Sequence, residues 1–378
     1  MFGKRITLFK LFGFAVRVDV SWLIVAALVA WSLDTYFSRS YPGYTVATYW
    51  GMAAVGTIVF FLSLVVHEFS HAMVAKHYGI PMKGITLFLL GGVAEMGEEP
   101  PSPEAEFAMA AAGPLASVII GMGFGAVWLV GTILNWTVVV QGVLSYMAII
   151  NIVLAIFNLI PAFPLDGGRL LRSGLWRWKG NLRWATHIAS QAGSLFGLLL
   201  IVLGLVSVFY GNFIAGIWWF LIGMFLRSIA ASSYQQVLVR QTLEGEPVRR
   251  FMKSDPVTVP RHISVEDLVE NYIYRYHYKM FPVVDGDRLL GCITTRQVRE
   301  LPRDEWSRQS VGAIADSCTP ANAVSPDTDA MAALAKMNSS GSSRLMVTEG
   351  DRLVGVLSLK DLMRFLALKM ELEDDGKS

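Results

Sequence analysis

The chain has 378 residues, 53% of them hydrophobic and only 16% charged, with a formal net charge of +2. Soluble globular proteins carry about 25% charged residues, so a wholly soluble chain is excluded. The small net charge is silent on nucleic acid, but no basic stripe with interleaved aromatics occurs, so no nucleic-acid partner is expected. The apolar excess is uneven: residues 1–236 hold nearly all the long apolar runs, and 245–378 read as ordinary soluble sequence. Two cysteines, Cys292 and Cys318, both in the soluble half, make no disulfide framework and fit a reducing compartment.

A membrane-crossing helix needs about 20 largely apolar residues. In chain order the segments that qualify are roughly 19–35, 47–76, 106–134, 137–160, 186–210 and 212–233. The first is short enough to be tilted or partly interfacial. Lys4, Arg5, Lys10 and Arg17 precede it; Lys76 and Lys83 follow the second; Arg169, Arg172, Arg177, Lys179 and Arg183 follow the fourth. The alternate loops carry only Arg39, so the positive-inside rule predicts a multi-pass protein of the cell membrane with both termini in the cytoplasm. No small-residue cleavage site follows the basic start, so no secretory signal is read there.

The second apolar segment contains His67-Glu68-Phe69-Ser70-His71. Residues i and i+4 share a helix face, so His67 and His71 can hold one metal ion, with Glu68 beside it as a base. The bland alternative is a pair of satisfied helix histidines, but polar and ionisable groups inside hydrocarbon are costly and usually functional. Gly84–Met96 is too short to span and reads as a membrane-associated apolar β-hairpin, with Gly91-Gly92 expected at its turn.

A catalytic zinc takes three protein ligands and leaves one position open. Asn158-Leu-Ile-Pro-Ala-Phe-Pro-Leu-Asp-Gly-Gly-Arg169 offers the third. Its prolines end the fourth helix and its glycines suit a sharp turn, placing Asp166 on irregular backbone near membrane depth. An acidic group there needs a positive partner. A metal on His67 and His71 would supply one; the alternative is an Asp166–Arg169 pair in a surface loop.

With these two motifs in this order, residues 1–236 resemble the site-2 protease family of intramembrane zinc metalloproteases. The resemblance implies one Zn2+ per chain on His67, His71 and Asp166, Glu68 as the catalytic base, and Asn158 holding substrate or the developing oxyanion. It implies a substrate peptide bond in or near the transmembrane helix of another membrane protein. Ala112-Gly-Pro-Leu-Ala-Ser117 resembles a further family signature; many members carry Asn at its last position, so Ser117 is assigned no role.

After a linker at 237–249, residues 250–370 contain a repeat with a period of about 60 residues: Asp285-Gly-Asp-Arg-Leu-Leu-Gly-Cys-Ile-Thr-Thr-Arg-Gln297 is echoed by Glu349-Gly-Asp-Arg-Leu-Val-Gly-Val-Leu-Ser-Leu-Lys-Asp361. Each unit, 250–308 and 309–370, reads strand, helix, strand, turn, strand, helix. The pair resembles tandem CBS (cystathionine beta-synthase) domains. That resemblance implies adenine nucleotide, ATP or AMP, held through Ser358 and Asp361. In the first unit Thr294 is present but Gln297 replaces the acid. A pair used only for homodimerisation is the alternative. Residues 371–378 read as an acidic, solvated tail.

The expected fold class is thus a polytopic α-helical membrane protein of about six transmembrane helices with a short β-hairpin, joined to a soluble α/β tandem CBS domain. The expected activity is intramembrane zinc-dependent proteolysis, open to regulation by adenine nucleotide. The alternative is a CBS-regulated transporter or channel.

Overall fold

A computed structural model of the chain describes all residues except 1–4, 12–13, 20, 81, 89–90, 97–98, 287, 318–321 and 375–378. The chain divides into two units, Met1–Gln235 and Gln236–Ser378.

The first unit opens with strands β1 (Arg5–Leu11) and β2 (Phe14–Asp19). Helices α1 (Ser21–Ser40) and α2 (Val46–His77) follow, then strands β3 (Met82–Phe88) and β4 (Gly91–Met96). Next come α3 (Pro103–Ile133), α4 (Val138–Asn158), α5 (Asp166–Lys179), α6 (Leu182–Phe209) and α7 (Phe213–Leu243). Among the described residues five helices are long and apolar enough to cross a membrane: α2, α3, α4, α6 and α7. The expected first span is present as the 20-residue α1, but it falls outside that set, its C-terminal half carrying Asp34 and Arg39 among hydroxyl side chains.

The helices bury little of their apolar surface against one another. Ile119, Leu129 and Ile133 on α3, Ile149 and Ile156 on α4, and Leu195 and Leu205 on α6 are all exposed. In water such a surface is a liability; in hydrocarbon it is the matching face. What packing exists relies on small residues. A Cβ at Gly197 would lie 2.7 Å from the Gly223 carbonyl oxygen, and one at Gly204 would lie 2.7 Å from that of Gly216. Glycine therefore lets α6 and α7 approach backbone to backbone.

The four strands form one sheet in the order β1-β2-β3-β4. β2 runs parallel to β3, with Val16 opposite Ile85 and Val18 opposite Leu87. The hairpin β3–β4 is antiparallel, as expected from the sequence. Phe88 pairs with Gly91 and Leu87 with Gly92, so the two glycines open β4 instead of forming the turn; residues 89–90 lie outside the described residues. β4 is an edge strand. The sheet packs beside α2, the helix that carries His67 and His71.

In the second unit the strands are β5 (Val259–Pro260), β6 (Met280–Asp285), β7 (Arg288–Thr294), β8 (Asp316–Ser317), β9 (Ala323–Val324), β10 (Arg344–Glu349) and β11 (Arg352–Ser358). They form one sheet in the order β5-β6-β7-β11-β10-β9, with β8 also on β7. The two halves mirror one another. Hairpin β6–β7 and hairpin β10–β11 each slip register by one after the same strand position, and they meet at Arg288 opposite Arg352. Helical segments between Val265 and Tyr276 and helix Ala330–Ser340 occupy equivalent places. Each half has its own core, Val259, Leu268, Phe281 and Ile293 in one and Leu334, Leu345, Val347 and Leu362 in the other. Residues 237–243, expected as linker, continue α7, and Leu243 and Val248 are buried in the second of these cores. Residues 371–374, expected as tail, end a helix that starts at Leu359. Cys292 is buried, and Cys318 lies outside the described residues.

Candidate metal centre

α2 and α3 build the site between them. His67 and His71 lie one turn apart on α2, and both are buried. The facing side of α3 presents Met109, Gly113 and Ser117 at four-residue intervals. The His71 Nδ1 lies 2.6 Å from the Met109 carbonyl oxygen. A carbonyl only accepts, so Nδ1 carries the proton and Nε2 of the neutral ring is left with its lone pair. The His67 Nδ1 lies 2.9 Å from the Ser117 hydroxyl. Both rings thus bind α3 through Nδ1, and each keeps Nε2 for another partner.

Asp166 meets them there. Its Oδ2 lies 3.2 Å from each Nε2, and the two Nε2 atoms are 3.2 Å apart. Three lone-pair atoms thus form a near-equilateral triangle. A tetrahedral ion bound at about 2.0–2.1 Å spaces its ligand atoms about 3.3–3.4 Å apart. The triangle has the dimensions of one tetrahedral face with the fourth vertex open. Converging lone pairs repel unless a cation lies among them, so both the donor set and its spacing fit zinc. Gly113 lies directly against the ligand nitrogens: a Cβ there would lie 2.2 Å from His71 Nε2 and 2.6 Å from His67 Nε2.

Asp166 reaches this position differently from expectation. It is the first residue of α5, not part of an irregular bend, and it pairs with the two histidines in place of Arg169. Gly167 and Gly168 form the first helical turn. A Cβ on Gly167 would lie 2.2 Å from the Leu159 carbonyl oxygen, so its role is to admit the incoming loop, not to turn the chain. The loop is buried at Ala162, Phe163 and Leu165. Burial works to raise the pKa of Asp166, but with no metal bound and the two imidazoles protonated on Nε2, their hydrogen bonds and charge outweigh it and hold the carboxyl below the usual carboxylate range.

Glu68 follows His67 on α2, half-buried and within electrostatic reach of both histidines and Asp166. Among the described residues its carboxylate accepts no hydrogen bond and closes no ion pair, so it is available as a base. The Asn158 side chain, on the last residue of α4, is half-buried and likewise makes no hydrogen bond among the described residues. Among the described residues no hydrogen bond links Asn158 to the triangle. Ser117 and the Met109 carbonyl, which set the orientation of both rings, escaped the sequence reading. The signal was there in the four-residue spacing of Met109, Gly113 and Ser117 on one helix face.

In the second unit Ser358 donates to the Asp361 carboxylate, and Asp361 N–H donates to the Ser358 hydroxyl at 3.2 Å. The equivalent Thr294 and Gln297 form a capping box, and the Gln297 amide donates to the Ile314 carbonyl at 2.9 Å. The Gln297 carbonyl oxygen is taken by Thr294 and its amide by Ile314, which leaves this side chain little for a ligand.

Comparison with known proteins agrees. The Peptidase family M50 model matches residues 55–137 and 126–200, and the CBS domain model matches 248–304 and 311–368. Rip3 of Mycobacterium tuberculosis is 35% identical over 363 residues, 96% of this chain and 92% of that protein. The zinc metalloprotease MJ0392 of Methanocaldococcus jannaschii is 31% identical over 373 residues, 98% of this chain and 99% of that protein. A solved site-2 protease from Methanocaldococcus jannaschii is 31% identical and covers 61% of this chain and 95% of its own, at a TM-score of 0.43. The chain is a multi-pass membrane zinc metalloprotease, which sets the transporter reading aside. It belongs to peptidase family M50, the site-2 proteases, and carries a tandem CBS pair.

Proposed function

We propose that this protein hydrolyses peptide bonds in or beside the transmembrane segment of another membrane protein, with zinc held by His67, His71 and Asp166. The observation that carries the reading is the 3.2 Å triangle of two Nε2 atoms and one carboxylate oxygen, with Glu68 next to His67 and, among the described residues, in no hydrogen bond or ion pair. When bound, zinc supplies Lewis-acid polarisation of a carbonyl and activation of water. Glu68 takes the proton of the attacking water and passes it to the leaving amine nitrogen. The Asn158 amide, having no partner of its own among the described residues, donates to the substrate carbonyl oxygen as negative charge develops there. The Met109 carbonyl holds His71 in one tautomer, and Met109 and Ser117 hold both rings in orientation, so neither swings during the reaction.

A helical substrate hides its peptide bonds, and opening it in lipid leaves backbone groups unpaired at several kcal/mol each. The edge strand β4 supports a solution: an extended substrate segment adds to the sheet there and pairs its backbone as it unwinds. The loop charges support cytoplasmic termini and a cytoplasmic CBS pair. That pair is the element through which two chains would associate and through which ATP or AMP, held at Ser358 and Asp361, would alter the cleavage rate. Cleavage assayed with and without ATP or AMP tests this last point; equal rates contradict it.

The activity itself is tested on purified protein with a single-span model substrate. Wild type should cleave. Glu68→Gln should retain its zinc and lose about 10²–10⁴-fold in rate. Cleavage by Glu68→Gln at the wild-type rate would contradict the proposal.

A further inference from the structure

Outside the metal triangle the first unit buries a second group of charges. Arg172, on α5, is 4% exposed, and Glu106, in the first turn of α3, is fully buried. The Arg172 Nε donates to Glu106 Oε1 at 2.6 Å, and its Nη2 donates to Glu99 Oε2 at 3.1 Å. Glu99 lies three residues beyond the edge strand β4. The guanidinium also lies 5.2 Å from the centre of the Phe163 ring, in the loop that delivers Asp166. The second carboxylate oxygen of Glu106 is buried with no partner among the described residues. A buried ion pair is poor evidence of stability, since matched apolar residues often do as well or better. One kept with an orphaned oxygen asks for another reason.

Its placement gives that reason. Glu106 stands on the α3 face that continues as Met109, Gly113 and Ser117, the residues that orient and abut both imidazoles. Arg172 stands six residues along α5 from Asp166, about 9 Å at 1.5 Å per residue. We propose that Arg172 is a positioning residue for the third metal ligand: clamped to Glu106 and Glu99, it fixes the start of α5, and with it Asp166, against the helix that fixes His67 and His71. This rests on the reading of those three residues as zinc ligands. The lever explains the need for a charged clamp. Over about 9 Å a tilt of about 6° displaces the Asp166 carboxylate by about 1 Å, and a misplacement of that size at a reacting centre can cost about 10²-fold in rate.

Two variants of the full-length protein test this. R172K keeps a positive charge but cannot bridge both carboxylates in the fixed geometry of a guanidinium. R172M/E106L removes the charges and fills the space. Both are measured for thermal stability, for zinc affinity by chelator competition, and for kcat and KM separately. The expected result is a folded protein in each case, with zinc bound about 10–100-fold more weakly, kcat reduced, KM little changed, and kcat restored by excess zinc. A merely structural pair would not give rescue by zinc. If either folded variant binds zinc with wild-type affinity and keeps its kcat, the proposal is overturned. It is equally overturned if neither variant folds, because the pair then serves folding alone. Wild-type protein that binds no zinc would instead sink the zinc reading on which the proposal stands.

Discussion

Gly113→Ala is a one-methyl perturbation whose effects on helix propensity and site have opposite signs. Gly113 lies inside α3, with helical backbone and no positive φ. Replacing glycine by alanine within a helix is worth about 0.5–1 kcal/mol in favour of the fold. At the site the same methyl would lie 2.2 Å from His71 Nε2 and 2.6 Å from His67 Nε2. Ordinary carbon contacts begin near about 3.5 Å, so the rings must retreat by about 1 Å. They cannot turn freely, because His71 is held through Met109 and His67 through Ser117 on the very helix that bears the new methyl. The methyl therefore intrudes on the face where a metal would bind. Zinc affinity should fall by at least about 10–100-fold, and cleavage with it, while in the metal-free protein the helix gain offsets part of the cost of displacing the rings, about 1–3 kcal/mol for overpacking, so its melting temperature changes far less than its zinc affinity. Elemental analysis after dialysis against a weak chelator, with melting of the chelated protein alongside, reads both effects. An alanine variant with one tightly held zinc and wild-type cleavage would refute the placement of Gly113 against the ligand atoms.

Three further outcomes follow from the same geometry. Ser117→Ala removes the hydroxyl at His67 Nδ1 and should weaken zinc binding by about 10–100-fold, measurable by competition with a chromogenic chelator; unchanged affinity would make Ser117 a packing residue. Adjacent strand residues send their N–H groups to opposite sides, so proline at either Val93 or Ala94 on β4 should slow cleavage without releasing zinc, and wild-type rates from both variants would remove β4 as the receiving edge. Asp166 also predicts a pH dependence. Its folded pKa lies below the unfolded one, so the stability it adds to chelated protein is present above about pH 3.9 and is lost as pH falls through the lower folded value. Asp166→Asn should therefore be less stable than wild type at neutral pH and converge with it in acid, and parallel melting curves at every pH would contradict the assignment.

The cluster of His67, His71 and Asp166 was legible because each part has a local signature. His67 and His71 are four apart in an apolar run, and Asp166 follows a proline-broken helix end. The internal repeat was equally plain, since the residues around Asp285 recur around Glu349. What the sequence hid depended on contacts across long separations. Ser117 earns its place by facing His67 from 50 residues away. Arg172 looked like one of a cluster of loop cations; only packing reveals that it is buried on Glu106, 66 residues earlier. The strands β1 and β2 were missed although Phe14, Val16 and Val18 alternate with Ala15, Arg17 and Asp19, because the basic charges of that stretch suggested a membrane flank. The two glycines of β4 read as a turn by composition, whereas the register with β3 pairs them with Phe88 and Leu87 as the opening of a strand. Glycines at 113 and 167 look conformational in sequence and prove to be steric, admitting imidazole rings and a loop carbonyl.

The account stands on one cation gripped by two α2 imidazoles and the opening carboxylate of α5. X-ray absorption at the zinc edge of purified wild-type protein, beside Asp166→Ala, tests it most directly. The predicted spectrum has only nitrogen and oxygen neighbours at about 2.0–2.1 Å, two of them imidazole, at one zinc per chain, with the metal lost or its shell depleted in the alanine variant. Sulfur neighbours at about 2.3 Å, or a spectrum indifferent to the loss of Asp166, would contradict it.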